Sequence, residues 1–381
     1  MKGLALIYLI HFVRHGMLFP IIPLYAASLG LGPSAIGGLI AAHSVLSIFL
    51  GIFVGRLSDV ISTRWIIACG ILSNLLGGAF LLLKGGFLYI LISQLFSGIG
   101  FLMIIVGSQT HISLFEPPPT RARAFAFISF NASVGQIIGP FLGGLVASSW
   151  GYRPLFWIVT LINILAFLGL GFIGGGDSST REKRDSNVSL SSQVRALLQK
   201  RSLVRLLVFT FVVVFITCLK GSFLPLLLKG RGFSKMDIGT FLSLFSISMA
   251  IIRLVMDRIL RWIGKEESIY VVMALLFLGV GIIASFSLSY FIILGLLLWG
   301  CGFGISQPLS MYLISEQLTP DTSGIGMGLR FTVITSSAFL SPLVFGIIGE
   351  HMSLDAIFYI STFIVILSTI YFYLSKPLKE V

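Results

Sequence analysis

A few ionisable side chains lie inside long apolar segments, and their chemistry indicates what the chain could bind. The basic ones are Arg14, His15, Lys220 and Arg330. Guanidinium and ammonium groups bind carboxylates and phosphates through charge-assisted hydrogen bonds. The acidic residues lie in connections or at segment ends, so no carboxylate lies at the same depth. An anionic or zwitterionic ligand would supply the missing partner charge, whereas a hydrophobic cation would be repelled.

The same residues admit a purely structural interpretation. Buried bases can extend towards the membrane surface or pair with backbone carbonyls without touching a ligand. His15 and His43 could titrate near neutral pH and bind protons, or could pack as neutral rings. Amide side chains could orient a ligand by hydrogen bonding or could bond between helices. The candidate binding residues are Arg14, His15, Lys220, Arg330, Gln94 and Gln307.

Patterns that would indicate an enzyme are missing from the apolar segments. They hold no pair of carboxylates, and Cys69, Cys218 and Cys301 do not have the spacing of a metal or disulfide framework. The phosphate-binding loop G-x-x-x-x-G-K-[ST] occurs nowhere in the chain. We therefore expect no catalytic residue, no metal, no cofactor and no use of ATP.

The composition indicates an integral membrane protein. Only 10% of the 381 residues are charged and 56% are hydrophobic, whereas a soluble domain carries about 25% charged residues. In lipid the backbone must form helices or a closed barrel, and apolar runs of about 20 residues without alternation indicate helices. The net charge of +12 is explained by basic cytoplasmic loops, so nucleic acid is not an expected partner.

The hydropathy pattern predicts twelve transmembrane helices. They cover approximately 5–28, 35–55, 65–84, 87–113, 124–149, 154–175, 204–229, 236–258, 268–286, 288–315, 323–349 and 355–374. The Ser-rich stretch 176–202 is predicted to be a cytoplasmic linker, and the stretch 194–203 is either an amphipathic surface helix or a plain solvated segment. Lys and Arg are concentrated in the connections on one side, which predicts that both termini are cytoplasmic.

The second half of the chain repeats the first at a constant offset of 225 − 23 = 202 residues, as Pro23 and Pro225 define it. The same offset pairs Gly30 with Gly232, and no gap is needed from residue 23 to residue 158. Two like-oriented repeats in an apolar chain are typical of transporters built from parallel membrane repeats. The sequence thus predicts an all-α integral membrane fold with two parallel-related six-helix halves, 1–175 and 203–381.

Two motifs carry a resemblance to a known family. The connection after the second helix reads Gly55-Arg-Leu-Ser-Asp59-Val-Ile-Ser-Thr-Arg64. It matches the signature G-x-x-x-D-R-x-G-R-R/K at Gly55, Asp59 and Arg64, and departs from it at Val60, Ser62 and Thr63. The fifth helix reads Gly135-Gln-Ile-Ile-Gly139-Pro140-Phe-Leu-Gly143-Gly144 and resembles the antiporter motif G-x-x-x-G-P-x-x-G-G. The chain resembles the major facilitator superfamily, and within it the twelve-helix drug-exporter branch.

This resemblance implies a monomeric secondary transporter of the cell membrane that moves a small organic solute by alternating access. The loop motif would help to lock one state, and the glycine motif would seal one side of a cavity. The branch favours export of drug-like or amphipathic compounds, whereas the buried bases favour an organic anion or zwitterion. A receptor that binds a ligand without transporting it is a third alternative.

The resemblance does not decide whether protons are the coupling ion. Gln94 stands where proton-coupled exporters often have an arginine, and the first helix lacks the carboxylate that some of them use. Proton antiport therefore does not follow from the motifs.

Overall fold

The computed structural model describes residues 2–83, 85–115, 118–173, 190–319 and 322–375, and this part of the chain is almost entirely α-helical. The helices are α1 (Lys2–Leu18), α2 (Ile21–Ser28), α3 (Pro33–Val60), α4 (Thr63–Leu82), α5 (Gly86–Phe115), α6 (Pro118–Ser149), α7 (Tyr152–Gly171), α8 (Leu190–Leu198), α9 (Arg201–Thr217), α10 (Leu219–Ser222), α11 (Leu224–Gly230), α12 (Lys235–Ile263), α13 (Glu267–Ser285), α14 (Ser289–Glu316), α15 (Ser323–His351) and α16 (Leu354–Leu374). Within the described residues, twelve helical stretches are long and apolar enough to cross a membrane. The predicted all-α fold with twelve spans is confirmed.

Two spans that were predicted as single helices are interrupted. The first, 5–28, consists of α1 and α2, and the seventh, 204–229, consists of α9, α10 and α11. Proline has no amide hydrogen and its ring collides with the carbonyl four residues earlier. Pro20 therefore ends the regular hydrogen bonding of α1, and Pro225 lies in the first turn of α11. Both interruptions adjoin candidate residues, because the last turn of α1 contains His15 and α10 contains Lys220.

The sequence repeat extends to the ends of the helices. α3 and α12 begin at Pro33 and Lys235, which are 235 − 33 = 202 residues apart. Gly30 and Gly232 both have a positive φ, of 79° and 90°, in the region that glycine adopts without a steric cost. In each case the glycine N–H closes the end of the preceding helix, on Ala27 O at 3.0 Å and on Lys229 O at 3.1 Å. The repeated glycine thus encodes the same helix-ending turn in both halves.

The chain divides into two compact units. Unit 1 comprises the described residues within Met1–Glu182, Lys220–Ser243 and Pro342–Glu350, and unit 2 comprises those within Lys183–Leu219, Leu244–Ser341 and His351–Val381. The predicted boundaries at 175 and 203 stay a prediction, as residues 174–189 lie outside the described part. Of the stretch 194–203, residues up to Leu198 belong to α8 and those from Arg201 belong to α9.

Unit 1 is organised around α1. This helix packs most extensively against α6, and also against α7 and α5. Its apolar side chains, among them Leu4 and Ile7, share a buried cluster with Ile71 and Ile104 of neighbouring helices. Because helices surround α1, its polar side chains are also removed from solvent: His11 and Arg14 are 2% and 1% exposed. The packing therefore requires partners for these groups inside the unit.

Unit 2 contains a helix assembly in which α13 packs on α14 and α16, and α9 packs on α14. Trp299 of α14 is fully buried. Its indole Nε1 donates to Thr217 Oγ1 at 3.3 Å, and its ring meets Phe245 edge-on at a centroid distance of 5.8 Å. Large aromatic side chains bury much surface, and an internal partner for the indole N–H makes that burial favourable.

An ion pair at one end of unit 2 provides a stability test. Arg205 of α9 is 4% exposed; its Nη1 lies 2.7 Å from Glu266 Oε2, and its Nη2 donates to Phe372 O at 3.2 Å. We expect Glu266→Gln to lower the free energy of unfolding by about 2 kcal/mol, because a buried guanidinium loses its counter-charge. The measurement is the thermal unfolding midpoint of the purified protein.

The matched control is a neighbouring ion pair on the surface. Lys265 donates to Glu316 Oε1 at 2.8 Å and also hydrogen-bonds Tyr312 Oη. The bond to Glu316, followed by that to Tyr312, raises the pKa of the Lys265 ammonium group. Exposed pairs contribute little to stability, so Lys265→Met should leave the midpoint unchanged. Equal shifts in Glu266→Gln and Lys265→Met would contradict the assignment of the Arg205 pair as the stabilising one.

Candidate functional site

Arg14 lies in the interior of unit 1 and is held by two other helices. Its Nη1 donates to Asn74 Oδ1 at 3.0 Å, and its Nη2 donates to Ser97 Oγ at 2.9 Å and to Asn74 O at 3.2 Å. Asn74 belongs to α4 and Ser97 to α5, so α1, α4 and α5 meet at this guanidinium. These bonds use both terminal nitrogens of the guanidinium without neutralising its charge, since neither partner is ionised, and Nε has no partner among the described residues. Arg14 therefore remains a source of positive potential in a low-dielectric interior.

Three histidines surround one phenylalanine next to Arg14. The rings of His11, His15 and His43 have centroids 5.2, 5.3 and 5.8 Å from that of Phe101. His15 lies 5.4 Å from His43 and 6.4 Å from His11. Nδ2 of Asn74 is 3.2 Å from His11 Nδ1, so Asn74 links Arg14 to this group. We call His11, His15 and His43 the histidine cluster.

Lys220 lies at the other end of the histidine cluster. Its Nζ is 5.7 Å from the ring centroid of Phe19, and the Phe19 ring is 5.3 Å from that of His15. Lys220 and His15 are both partly buried, unlike the enclosed Arg14. Gln94 of α5 hydrogen-bonds His43. The candidates Arg14, His15, Gln94 and Lys220 are thus brought together in unit 1, with two basic groups flanking aromatic rings.

The other two candidates lie together in unit 2. Arg330 of α15 donates through Nη2 to the backbone oxygen of Gln307 at 2.9 Å and to its Oε1 at 3.0 Å. Its Nε donates to Ser310 Oγ at 3.1 Å. Arg330 and Gln307 are only partly buried. Like Arg14, Arg330 donates to neutral oxygens, which do not cancel its charge.

Two basic residues inside the apolar segments, His11 and Arg253, were missed in the sequence. His11 precedes His15 by four residues, and this spacing predicts a shared helix face. Arg253 of α12 directs its Nε towards Gly304 O at 3.4 Å. Pro308 lies inside α14 four residues after Gly304 and cannot donate to that carbonyl. A proline inside a predicted helix is thus a signal for an unmatched acceptor four residues earlier.

The glycine motif of α6 brings that helix against α1. A Cβ on Gly139 would lie 2.6 Å from Val13 O, and one on Gly143 would lie 2.5 Å from Met17 O. From the other helix, a Cβ on Gly16 would lie 2.9 Å from the ring of Pro140. The motif therefore contacts the turns of α1 that contain Arg14 and His15. Small residues permit this close approach.

Unit 1 also contains two helix crossings that are related by the repeat. Gly37 of α3 lies against the Pro342 carbonyl of α15, and Gly239 of α12 lies against the Pro140 carbonyl of α6. The offset of 202 relates Gly37 to Gly239 and Pro140 to Pro342. Gly144, the last glycine of the motif, takes part in the second crossing, where it faces Gly239. The two crossings therefore use the same small-residue contact twice.

Opposite charges reinforce the two crossings. The Glu350 carboxylate accepts from Ser34 N at 3.1 Å, at the N-terminus of α3. Lys235 donates to Ala147 O at 3.2 Å, in the last turn of α6, and its Nζ is 3.8 Å from the ring centroid of Tyr152. These signs suit the positive N-terminus and negative C-terminus of a helix. Both contacts favour the crossed arrangement.

The residues of the loop motif lie on two consecutive helices. Gly55 and Asp59 fall in α3 and Arg64 in α4. Arg64 is exposed, whereas the side chain of Asp59 lies outside the described residues. The gating role of Gly55, Asp59 and Arg64 stays a prediction.

Comparison with known proteins agrees with this architecture. The family model described as Major Facilitator Superfamily matches residues 4–342. The chain is similar in fold to the nucleoside transporter NupG, with a TM-score of 0.81, 13% identity and coverage of 100% of both chains. It is also similar to the human organic anion transporter MFSD10 (TETRAN), with a TM-score of 0.68, 19% identity and coverage of 97% and 98%. At these identities the likeness concerns the fold alone.

Two curated relatives are more similar in sequence. The Quinolone resistance protein NorA of Staphylococcus aureus is 27% identical over 157 residues, which are 41% of this chain and 40% of that protein. The chain thus matches less than half the length of this relative. The Uncharacterized MFS-type transporter MJ1560 of Methanocaldococcus jannaschii is 22% identical over 342 residues, which are 89% of this chain and 88% of that protein.

Proposed function

This chain belongs to the Major Facilitator Superfamily, whose members are membrane transporters and not enzymes, and we propose that it exports amphipathic, drug-like compounds that carry an acidic group. It is a multi-pass membrane protein with twelve spans, and its substrate is a small molecule. We propose drug export because NorA, a quinolone resistance protein, is similar to this chain over 40% of its own length. We propose an acidic group on the substrate because basic side chains lie beside the histidine cluster of unit 1.

The observation that carries the proposal is the pair of basic residues beside the histidine cluster. Lys220 and His15 are partly buried and are the groups that we propose to contact the substrate. Arg14 is enclosed by Asn74 and Ser97. Its proposed role is therefore to add positive electrostatic potential at the site without contacting the substrate. Phe19 and Phe101 offer ring faces to an aromatic substrate. A carboxylate near Lys220 would meet no opposing carboxylate, since no acidic residue lies within α1, α5 or α10.

The proposal also includes residues that already make contacts inside the protein. Arg330 and Gln307 are proposed as substrate-binding residues of unit 2. Gln94, whose amide is partly buried like that of Gln307, is proposed as a substrate-binding residue of unit 1. The motif Gly135, Gly139, Pro140, Gly143 and Gly144 is proposed to permit the change of state in alternating access. The concentration of Lys and Arg in one set of connections supports cytoplasmic termini in the plasma membrane, and protons are the proposed coupling ion.

A thermal-shift experiment tests the substrate class. A ligand that binds the folded state raises the melting temperature. Fluoroquinolones carry a carboxylate on fused aromatic rings, so a fluoroquinolone, its decarboxylated analogue and tetraphenylphosphonium form a graded set. We expect the melting temperature of the detergent-purified protein to rise with the acid, to rise less with the decarboxylated analogue and to stay unchanged with the cation.

Variants assign the effect to the site. Lys220→Gln should remove most of the shift caused by the acid, whereas Lys229→Gln, an exposed lysine at the end of α11, should retain it. Stabilisation by tetraphenylphosphonium that persists in Lys220→Gln would contradict the acidic-substrate proposal. It would instead favour an exporter of lipophilic cations.

A further inference from the structure

Two arginines of unit 2 bind the same stretch of α14. Arg253 of α12 donates through Nε to Gly304 O at 3.4 Å, and Arg330 of α15 donates through Nη2 to Gln307 O at 2.9 Å. The two accepting carbonyls are three residues apart, so they lie on one helix face and about 4.5 Å apart along the axis. Helices α12 and α15 thus bring two guanidinium groups towards one turn of α14.

The backbone of α14 explains how Arg253 is positioned. Pro308 has no amide hydrogen, so Gly304 O lacks its helical donor and accepts from Arg253 instead. A Cβ on Gly304 would lie 2.8 Å from Met249 O, so the glycine lets α12 approach closely. Arg253 is therefore held by a neutral carbonyl, which fixes the side chain and leaves its charge.

Several hydrogen-bond donors at this turn are not used by the rest of the described chain. Nη1 and Nη2 of Arg253 and Nη1 of Arg330 donate to no described residue and are not buried. Gln307 Oε1 accepts from Arg330 at 3.0 Å, whereas its Nε2 is buried and has no partner among the described residues. Neither arginine forms an ion pair with a described residue, and the side chain of Asp257, one turn from Arg253 on α12, lies outside this part of the chain. A ligand oxygen would give these donors an acceptor.

The sequence repeat indicates that these polar groups are not needed for helix packing. The offset of 202 pairs Arg253, Gln307 and Arg330 with Gly51, Ile105 and Ile128. The corresponding helices of the first half, α3, α5 and α6, therefore form without a charged or amide side chain at these positions. Charges inside apolar segments are costly and are mostly functional, so their presence in one half alone favours a ligand.

The three residues lie near the same end of their helices. Arg253 is 263 − 253 = 10 residues before the end of α12, Gln307 is 316 − 307 = 9 residues before the end of α14, and Arg330 is 330 − 323 = 7 residues after the start of α15. These separations correspond to about 10–15 Å. Because consecutive spans alternate in direction, the three ends lie on one side, which the nearby Arg258, Arg261 and Lys265 predict to be cytoplasmic.

We infer that Arg253, Arg330 and Gln307 form an anion-binding site that takes the phosphate group of a phosphate monoester. The inference goes beyond the proposed function, because it adds Arg253 and a second class of ligand. It rests on that function in treating Arg330 and Gln307 as ligand-binding residues. Binding is non-covalent, and no bond forms or breaks.

A phosphate monoester matches this group of donors better than a carboxylate does. It carries a charge of about −1.5 to −2 near neutral pH and three acceptor oxygens. A guanidinium group offers its N–H groups in a planar geometry that binds two phosphate oxygens at once. The two terminal nitrogens of Arg253 suit such a pairing, and Nη1 of Arg330 is available to the third oxygen. A carboxylate would leave one of the two positive charges without a partner.

The experiment compares two aromatic anions of similar shape and different charge. At about pH 8, roughly two units above the second pKa of a phosphate monoester, phenyl phosphate is a dianion, whereas phenyl sulfate is a monoanion. Binding of each to the intact detergent-purified protein is measured by calorimetry. We expect phenyl phosphate to bind about tenfold more tightly than phenyl sulfate, because it pairs with both arginines.

Variants assign the binding to the site. Arg253→Gln should weaken binding of phenyl phosphate about tenfold, and it should fold because it loses a single hydrogen bond of 3.4 Å. Arg253→Lys keeps the charge without the planar pair of donors, so its affinity should lie between those of Arg253→Gln and the unaltered protein. Arg261→Gln is the matched control, since Arg261 is an exposed arginine further along α12, and it should bind phenyl phosphate like the unaltered protein.

A second set of titrations distinguishes a soluble ester from a lipid headgroup. Phosphatidic acid ends in a phosphate monoester, whereas phosphatidylcholine does not. Displacement of phenyl phosphate by mixed micelles of phosphatidic acid, and not by those of phosphatidylcholine, would assign the site to a lipid. Absence of displacement by either would assign it to a soluble phosphate monoester. Both results support a site for the phosphate group.

Three outcomes would overturn the inference: no binding of phenyl phosphate, equal affinity for phenyl phosphate and phenyl sulfate, or unchanged affinity in Arg253→Gln. The fluoroquinolone titration on the same preparation separates this inference from the proposed function. Phenyl phosphate binding without a response to the fluoroquinolone would overturn the proposed function and leave this site standing. A response to the fluoroquinolone without phenyl phosphate binding would do the reverse.

Discussion

Replacing Arg14 by glutamine is expected to lower the stability of the protein and to weaken its stabilisation by acidic ligands. The substitution removes three hydrogen bonds, to Asn74 Oδ1, Asn74 O and Ser97 Oγ. A hydrogen bond to a charged group contributes about 1.5–3 kcal/mol in soluble proteins, and polar contacts in membranes average about 0.6 kcal/mol. We expect a total loss of about 2 kcal/mol. The measurement is the melting temperature with and without a fluoroquinolone.

A second variant separates the charge of Arg14 from its packing. Ser97→Ala removes one of the three bonds and keeps the guanidinium, so it should lower the melting temperature slightly and preserve the response to the ligand. If Arg14→Gln and Ser97→Ala lose the response equally, Arg14 acts through structure alone. If Arg14→Gln retains the response, its positive potential has no part in binding.

Adding a single methyl group to Gly139 is expected to have a comparably large effect. In Gly139→Ala the Cβ would lie 2.6 Å from Val13 O and 2.8 Å from Gly16 Cα, both backbone atoms that cannot rotate away. α1 and α6 must then separate at the turn next to Arg14. Overpacking costs about 1–3 kcal/mol, and we expect a lower melting temperature together with a loss of substrate flux. Unfolding and uptake into vesicles are measured on the same preparation.

Gly38 provides the matched control. It lies inside α3, and a Cβ at this position would meet no atom within 4 Å. Glycine to alanine in a relaxed helix stabilises a protein by about 0.4–1 kcal/mol, through the unfolded state. Gly38→Ala should thus keep or raise the melting temperature. A tolerated Gly139→Ala would show that the motif does not need its close contact with α1.

The helices could be predicted from the sequence, because their signals are local. An apolar run of about 20 residues is sufficient to define a span, and all twelve were found in this way. The offset of 202 also predicted shared turns, such as those at Gly30 and Gly232. The interruption of the first and seventh spans was missed, although Pro20, Pro23 and Pro225 were visible. Hydropathy measures apolar character and does not register a missing amide hydrogen.

The candidate site could be predicted only by residue type. Arg14 was identified because a charge in an apolar run needs a partner. Its partners could not be found, since Asn74 and Ser97 are 60 and 83 residues away and are common polar residues. Lys220 is partly buried, whereas Arg14 is enclosed. The sequence could not show this difference in burial, because burial depends on how the helices pack. His11 was overlooked, although its spacing from His15 was sufficient to place both on one face.

The most direct test of the central claim is transport in reconstituted vesicles. The protein is placed in liposomes that contain an unlabelled fluoroquinolone, and uptake of the radiolabelled compound is followed without ATP. Exchange through a carrier predicts transient accumulation of label, its reduction in Lys220→Gln and its preservation in Lys229→Gln. Uptake no greater than in empty liposomes, from protein that still binds the compound, would contradict the account and indicate a receptor that does not transport.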